Sequence, residues 1–125
     1  MPKTSRSHAA NAKDLGVVED LSSDLDGYTA SFVTIRESHD LGPLLAGLPG
    51  GNCPCPHWGY VFRGRLTVRY ADHEETVESG DAFYLPPGHV PEAEAGTELL
   101  QFSPTGDLAQ VEASMSRTMQ AGRGA

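Results

Sequence analysis

Short strand-like segments follow one another closely in the middle of the chain, and this succession limits the possible folds more than any other feature. Each segment is only a few residues long and is bounded by Gly, Asp or Pro, which favour turns. Short strands at this spacing are typical of an antiparallel sandwich or barrel, whereas a parallel α/β sheet needs helices between its strands. We therefore predict an all-β barrel with strands at residues 57–62, 66–70, 75–77, 82–85 and 99–102.

The segments on either side of these strands complete the predicted domain. Residues 28–36 are rich in β-branched and aromatic side chains and predict a first strand of the barrel or of a dimer edge. Asp40 can cap one helical turn within residues 40–48. After Ser103, apolar residues at helical spacing predict a C-terminal helix that lies on the barrel, and these are Leu108, Val111, Met115 and Met119.

The length of 125 residues leaves room for one domain with a single modest core. Residues 1–14 are polar and lack periodicity, so we expect a disordered N-terminal arm. Residues 15–104 form the predicted barrel, and residues 105–125 form the helix and a tail. A chain of this kind is expected to act through one pocket.

Acidic residues outnumber basic residues by 17 to 9, which gives a formal net charge of -8. Phosphate backbones and anionic lipid surfaces repel such a chain, so we expect no nucleic-acid partner and no membrane partner. The expected ligand is a small neutral or cationic molecule. The chain has no apolar run of the roughly 18 residues that a membrane helix needs and no hydrophobic stretch at 1–13 that suits a signal peptide, so we expect a cytoplasmic protein.

Both cysteines lie in the short segment Cys53-Pro54-Cys55-Pro56-His57. A disulfide across a single proline would be strained and would close almost no loop, so the cysteines are better interpreted as thiols or metal ligands. Proline disfavours helix at the residue before it and keeps the segment extended. Because side chains of an extended segment alternate between two faces, Cys53, Cys55 and His57 are predicted to share one face.

The glycine and proline spacing further along the chain resembles that of the cupin superfamily. Cupins have a first motif G-x5-H-x-H-x3,4-E-x6-G and a second motif G-x5-P-x-G-x2-H-x3-N. Residues 80–88 match the first half of the second motif with its spacing intact, and Gly64 matches the terminal glycine of the first. The chain is thus similar to a small single-domain cupin, and the resemblance implies a jelly-roll β-barrel.

The usual cupin metal ligands are replaced in this sequence. Counting back from Gly64, His57 stands where cupins have the glutamate, and Cys53 stands where they have the second histidine. The remaining motif positions carry residues whose side chains bind no metal, and these are Gly51, Pro91 and Ala95. The resemblance therefore implies the fold but does not transfer a known cupin reaction to this chain.

The residues that remain still predict a metal site. If both motif segments line the barrel interior, as the resemblance implies, Cys53, Cys55 and His57 face His89. Two thiolates and two imidazoles suit a divalent metal ion, zinc first, with iron, copper or nickel as alternatives. We predict His57 and His89 as ligands, joined by Cys55, Cys53 or both. The alternative is a metal-free barrel with buried thiols and core histidines that bond to backbone carbonyls.

Three functions remain open from the sequence, and the catalytic residues stay unassigned. The first is a metal-dependent enzyme that acts on a small molecule in the barrel cavity. The second is a non-enzymatic binding or sensor barrel in which the ion is structural or absent. The third is redox sensing by the cysteine pair, which predicts loss of metal on mild oxidation.

Aromatic residues alternate with the metal-ligand candidates along the same strand. Trp58, Tyr60 and Phe62 are predicted to point away from His57 and to pack against a second sheet or a partner subunit. Small cupins commonly pair through their sheets, so the resemblance implies a homodimer. The other histidines fall in predicted arm, turn and loop positions and are expected at the surface, namely His8, His39 and His73.

Overall fold

A computed structural model describes residues 3–123 of the chain, and the side chains of residues 3–120. Within these residues the strands alternate with turns, and one long helix ends the chain. The elements in chain order are β1 (Asn11–Asp14), β2 (Val18–Leu25), β3 (Tyr28–Ile35), β4 (His39–Asp40), α1 (Gly42–Leu45), β5 (His57–Arg63), β6 (Arg65–Arg69), β7 (Glu74–Glu78), β8 (Ala82–Leu85), β9 (Val90–Ala93), β10 (Glu98–Pro104) and α2 (Thr105–Arg123).

The strands form two antiparallel sheets. One is six-stranded in the order β1-β2-β3-β10-β5-β8, and the other is four-stranded in the order β4-β9-β6-β7. Strands that follow each other in the chain, such as β5 and β6 or β9 and β10, lie in different sheets, so the chain crosses repeatedly between them. The predicted all-β architecture with a C-terminal α-helix is confirmed.

The strand segments predicted from turn spacing are confirmed. Residues 57–62, 66–70, 75–77, 82–85 and 99–102 correspond to β5, β6, β7, β8 and β10, and residues 28–36 correspond to β3. Gly64 forms the turn between β5 and β6 with a φ of 84°, a left-handed conformation that glycine adopts without strain. A Cβ atom at Gly64 would also contact Thr97 at 2.5 Å. The register counted from this glycine therefore rests on a position that requires glycine.

Strand β2 was not predicted from the sequence. It carries polar residues on both of its faces, so it has no hydrophobic alternation to reveal it. It is held instead by pairing with β3 along its whole length, from Val18 opposite Ile35 to Leu25 opposite Tyr28. Tertiary pairing here overrides a weak local signal.

The N-terminal segment differs from the expected disordered arm at residues 1–14. Residues 1 and 2 lie outside the described residues, but the segment contains a 3-10 turn at Arg6–His8 and strand β1, which pairs with β2. Two ion pairs join β1 to the rest of the domain: Lys13 Nζ lies 2.7 Å from Glu112 Oε2, and Asp14 Oδ1 lies 2.6 Å from Arg36 Nη1. The sequence does not reveal this strand because its contacts are polar and leave no hydrophobic alternation.

The two helices lie where the sequence predicts them. Oδ1 of Asp40 accepts a hydrogen bond from the Gly42 amide at 2.7 Å, and the single turn of α1 follows. Along α2, Val111 is buried and Leu108 and Met115 pack beside it, as the helical spacing predicts. Of the predicted helix and tail at 105–125, residues 124 and 125 lie outside the described residues.

The buried side chains form two clusters. The larger cluster fills the space between the two sheets, with residues such as Val61 and Leu85 from the large sheet meeting Val68 from the small one. The smaller cluster lies under α1 and α2 and consists of Leu45, Cys53, Cys55 and Val111. Both cysteines therefore belong to the region where the two helices cover the barrel.

Within the described residues, no helix is both long enough and apolar enough to cross a membrane.

Candidate metal centre

Backbone hydrogen bonds hold Cys53 beside His89. The two residues form an isolated antiparallel bridge in which the Cys53 amide donates to the His89 carbonyl at 2.9 Å. The Gly88 amide donates back to the Cys53 carbonyl at 2.8 Å. The segment before β5 is thereby fixed against the loop before β9, and the two side chains are brought together from positions far apart in the sequence.

His57 joins them as the first residue of β5. Its side chain points into the barrel and is 7% exposed, and its Nε2 lies 3.8 Å from Cys53 Sγ. Its other ring nitrogen, Nδ1, lies 2.6 Å from the hydroxyl of Ser103 on β10. One nitrogen of the ring is thus engaged by Ser103, while the other faces the cysteine.

His89 presents its ring in the same way. Its Nδ1 lies 2.7 Å from the carbonyl of Pro86. A carbonyl only accepts hydrogen bonds, so Nδ1 carries the proton and Nε2 is left with a lone pair. This Nε2 is buried and has no hydrogen-bond partner among the described residues. The two histidine rings lie 5.0 Å apart between centroids.

The side chains of these three residues form a group that could bind one metal ion. A sulfur atom of Cys53 and one nitrogen each of His57 and His89 all lie within 4.8 Å of one another. The group is buried, with exposures of 4% for Cys53, 7% for His57 and 0% for His89.

Burial keeps both rings neutral. It lowers the pKa of His57 to about 3, and His89 nearby acts in the same direction. Burial also lowers the pKa of His89, although its hydrogen bond to the Pro86 carbonyl opposes this. Neutral imidazole is the form that binds metals.

Burial has the opposite effect on the pKa of the two thiols. Burial raises the pKa of the Cys53 thiol, and burial followed by the nearby Cys53 raises the pKa of Cys55 to about 12. A thiol of this kind is a poor nucleophile and is slow to oxidise, which weighs against redox sensing. A bound divalent ion would lower the pKa of a coordinating thiol and so reverse this effect at Cys53.

Cys55 lies outside this group of ligand atoms. The chain bends at Cys55 and is not extended from Cys53 to His57, so simple alternation does not describe it. The Cys55 side chain is fully buried, with Sγ 3.6 Å from the Pro56 carbonyl, and belongs to the cluster under α1 and α2. Three of the four predicted ligands are therefore brought together, and a ligand role for Cys55 stays a prediction.

The remaining histidines lie away from this group. His8 and His73 are exposed, and His39 is half-buried in β4 with Nδ1 2.9 Å from the Glu37 carbonyl. The sequence patterns did not identify Ser103 as part of this site. The alternation of β10 could have found it, because Leu99 and Ser103 share the inward face of that strand.

A comparison with known families agrees with this architecture. Residues 56–120 match the family model described as the AraC-like ligand binding domain. The chain belongs to this family. It is a small domain of the cupin superfamily, as the sequence motifs indicated, and the matched region includes His57, His89 and Ser103. Among curated proteins, no sequence matches the chain.

Solved structures show the same jelly-roll fold. An RmlC-like cupin from Shewanella frigidimarina is 17% identical with a TM-score of 0.53, and 75% of this chain covers 83% of that one. A protein of unknown function from Rhizobium leguminosarum is 19% identical with a TM-score of 0.60, covering 82% of this chain and 94% of that chain. A cupin superfamily protein from Desulfitobacterium hafniense is 10% identical with a TM-score of 0.55, covering 74% and 81%.

Proposed function

We propose that this cupin binds one divalent metal ion through Cys53, His57 and His89 and binds a small molecule in its barrel. The proposal is carried by the buried Nε2 of His89, which has no hydrogen-bond partner among the described residues, in a group whose three ligand atoms lie within 4.8 Å of one another. A buried polar atom without a partner is costly, and a metal ion would remove that cost.

The donor set fits zinc best. Around a tetrahedral zinc ion, nitrogen and sulfur ligand atoms lie roughly 3.3–3.8 Å from one another. The distance of 3.8 Å between Cys53 Sγ and His57 Nε2 already meets this, and a pair at the 4.8 Å limit of the group would need a contraction of about 1.0–1.5 Å. One thiolate and two imidazoles are also ligands of copper, iron and nickel, but zinc needs no special geometry beyond a tetrahedron.

Three protein ligands would leave the fourth position of a zinc ion open, and zinc bound in this way supplies a Lewis acid. Leu45 and Val111 lie in the buried cluster that includes Cys53, so the surroundings of this thiol are apolar. The family description as a ligand binding domain and the burial of all three metal-binding side chains favour binding of a small molecule over its turnover. The second candidate is a binding or sensor barrel in which the ion is structural and does not contact the small molecule. No reaction is assigned to either candidate.

Metal analysis of the purified protein, with single variants, tests the site. We expect about one zinc ion per chain in the wild type and in Cys55→Ser, and at least about tenfold weaker zinc binding in Cys53→Ser and His89→Gln. Cys55→Ser is the matched control because it makes the same substitution two residues away. Equal zinc affinity in all four proteins would overturn the proposed ligands.

Cobalt(II) substitution distinguishes the two functional candidates. A thiolate-ligated tetrahedral cobalt ion has intense visible absorption, and the spectrum changes when a ligand enters or leaves the coordination shell. A spectrum that responds to imidazole or azide indicates an accessible open position, which supports direct metal–ligand contact. A spectrum that stays unchanged supports the structural ion of the second candidate.

We also infer a homodimer that forms through the outer face of the six-stranded sheet. Five aromatic side chains on this face are between 41% and 48% exposed, and these are Tyr28, Trp58, Tyr60, Phe62 and Tyr84. Together they expose on the order of 400 Å². Small specific interfaces bury roughly 600 Å² on each partner, so this face with its apolar neighbours has the area that a second copy would need.

The free buried thiols fit a reducing compartment, which supports a cytoplasmic location.

A further inference from the structure

A polar groove of about 520 Å³ lies between the N-terminal strands and α2, apart from the metal-ligand group. Asp20 on β2 stands opposite Lys13 on β1, and Ser22 stands opposite both Asn11 on β1 and Ser31 on β3. Paired residues of a sheet project from the same face, so these side chains form one polar surface. The helix supplies the facing wall with Leu108, Ala109 and Glu112.

One buried oxygen atom of this surface has no hydrogen-bond partner. Oδ1 of Asp20 is buried and has no hydrogen-bond partner among the described residues. Ser31, which is only 1% exposed, also lines the groove. Buried polar groups are nearly always satisfied in native proteins, so Oδ1 of Asp20 points to a ligand that donates hydrogen bonds.

The charges of the groove favour a cation. Lys13 is its one lysine, and it is engaged by Glu112 at 2.7 Å. Asp24 is engaged by the Thr29 hydroxyl at 2.8 Å. Within residues 3–120, no lysine, arginine or histidine forms an ion pair with Asp20. Burial, with a contribution from Glu112 that Lys13 opposes, raises the pKa of Asp20 to about 6, so at neutral pH this carboxylate is charged and only partly compensated by Lys13.

We propose that this groove is a second ligand site, which binds a small organic ammonium compound through Asp20. The ammonium group pairs with the Asp20 carboxylate, and the Ser22 and Ser31 hydroxyls accept further hydrogen bonds from it. An aliphatic part of the compound lies against Leu108 and Ala109 on α2. The site does not use the metal-ligand group, so it stands independently of the proposed metal function.

Binding of 1,4-diaminobutane at neutral pH, measured by calorimetry and by amide chemical shifts of β2 and β3, tests this site. We expect millimolar or tighter binding to the wild type, no comparable binding of the uncharged 1,4-butanediol, and shifts at Asp20 and Ser31. Removing a charge-assisted hydrogen bond by Asp20→Asn should weaken binding by about tenfold or more. Ser31→Ala, which keeps the carboxylate, should weaken it about threefold to tenfold.

Glu78→Gln is the matched control, because it removes one carboxylate charge from the exposed edge strand β7. Binding to this variant should equal that of the wild type within about twofold, since screening reduces distant surface charges. Absence of diamine binding, equal binding of the diol, or unchanged affinity in Asp20→Asn would each overturn the proposal. Cys53→Ser, which addresses the metal site, should bind the diamine as the wild type does, so failure of one site is distinguishable from failure of the other.

Discussion

Oγ of Ser103 lies 2.6 Å from Nδ1 of His57, with both residues buried between the sheets and α2. When Nδ1 donates its proton to Ser103, Nε2 is left as an acceptor directed at Cys53, 3.8 Å away. The Pro86 carbonyl accepts a hydrogen bond from Nδ1 of His89 at 2.7 Å, which likewise leaves Nε2 of His89 as an acceptor. Both rings are therefore oriented by neighbours that are not themselves ligands, as is typical of protein metal sites, and the Pro86 carbonyl, which only accepts, also fixes the tautomer of His89.

Ser103→Ala should weaken zinc binding about tenfold or more, because His57 loses the group that orients it. Ser103→Thr keeps the hydroxyl and should restore most of the affinity. Competition with a chromophoric chelator measures both variants. Ser114→Ala is the control, since Ser114 is equally buried on α2 but does not touch His57. If Ser103→Ala and Ser114→Ala bound zinc with the same affinity, Ser103 would have no orienting role.

Removing the metal should lower the melting temperature of the wild type. A ligand present at a thousandfold excess over its dissociation constant stabilises the folded state by about 4 kcal/mol. For a domain of this size, that corresponds to a fall in melting temperature of roughly 10–20 °C after chelation. Differential scanning calorimetry with and without a chelator checks this, and Cys53→Ser should show little response. A wild type that melts at the same temperature in both conditions would contradict a bound ion.

The sequence predicted the barrel well because its strands are bounded by turn residues whose backbone demands are strong. Gly64 and the residues 80–88 set the register, and β5 then placed His57 correctly on the inner face. Strands β1 and β2 escaped detection because their partners are polar side chains and neighbouring strands, not a hydrophobic core. Local composition does not reveal pairing of this kind.

The site was predicted in its location but not in its details. Alternation along an extended segment placed Cys53 and His57 together, and it failed for Cys55 because the chain bends there. The Pro86 carbonyl lies only three residues before His89, but the sequence does not show that its oxygen meets the ring. Ser103 lies 46 residues from His57, and the alternation of β10 places it on the inner face without showing which residue it contacts. Contacts of this type follow from the closure of the barrel, which only the three-dimensional structure shows.

Asp20→Asn should stabilise the protein at neutral pH. The pKa of Asp20 is raised by burial to about 6 from 3.8, so its contribution to stability is fully present below about pH 4 and is lost as the pH rises through 6. Asparagine carries no charge and avoids that loss. The free energy of unfolding of the variant should therefore exceed that of the wild type by about 1–3 kcal/mol above pH 7 and equal it near pH 3.5. Urea unfolding of both proteins across this pH range measures the difference. A difference that does not change with pH would refute the raised pKa.

Tyr60→Lys should separate the proposed dimer into monomers, because it places a charge in the middle of the aromatic face. Tyr60 is 41% exposed and lies beside Phe62 with ring centroids 5.4 Å apart. Thr76→Lys is the control, since it adds the same charge to the exposed side of the other sheet. Size-exclusion chromatography with light scattering should give a dimer for the wild type and the control and a monomer for Tyr60→Lys. A wild type that is monomeric at micromolar concentration would rule out this interface.

Gly59→Ala should destabilise the barrel without altering the metal ligands. A Cβ atom at Gly59 would overlap the backbone carbonyl of Leu100 on β10 and the ring of Phe83 on β8, so two strands would have to move apart. Overpacking of this kind costs about 1–3 kcal/mol, and a clash with backbone falls at the upper end of that range. Phe83→Leu relieves only the contact with the ring, so the double variant should recover part of the loss and not all of it. Gly106→Ala, which meets no atom within 4 Å, is the control and should unfold at the same urea concentration as the wild type or a higher one, because alanine favours the helix.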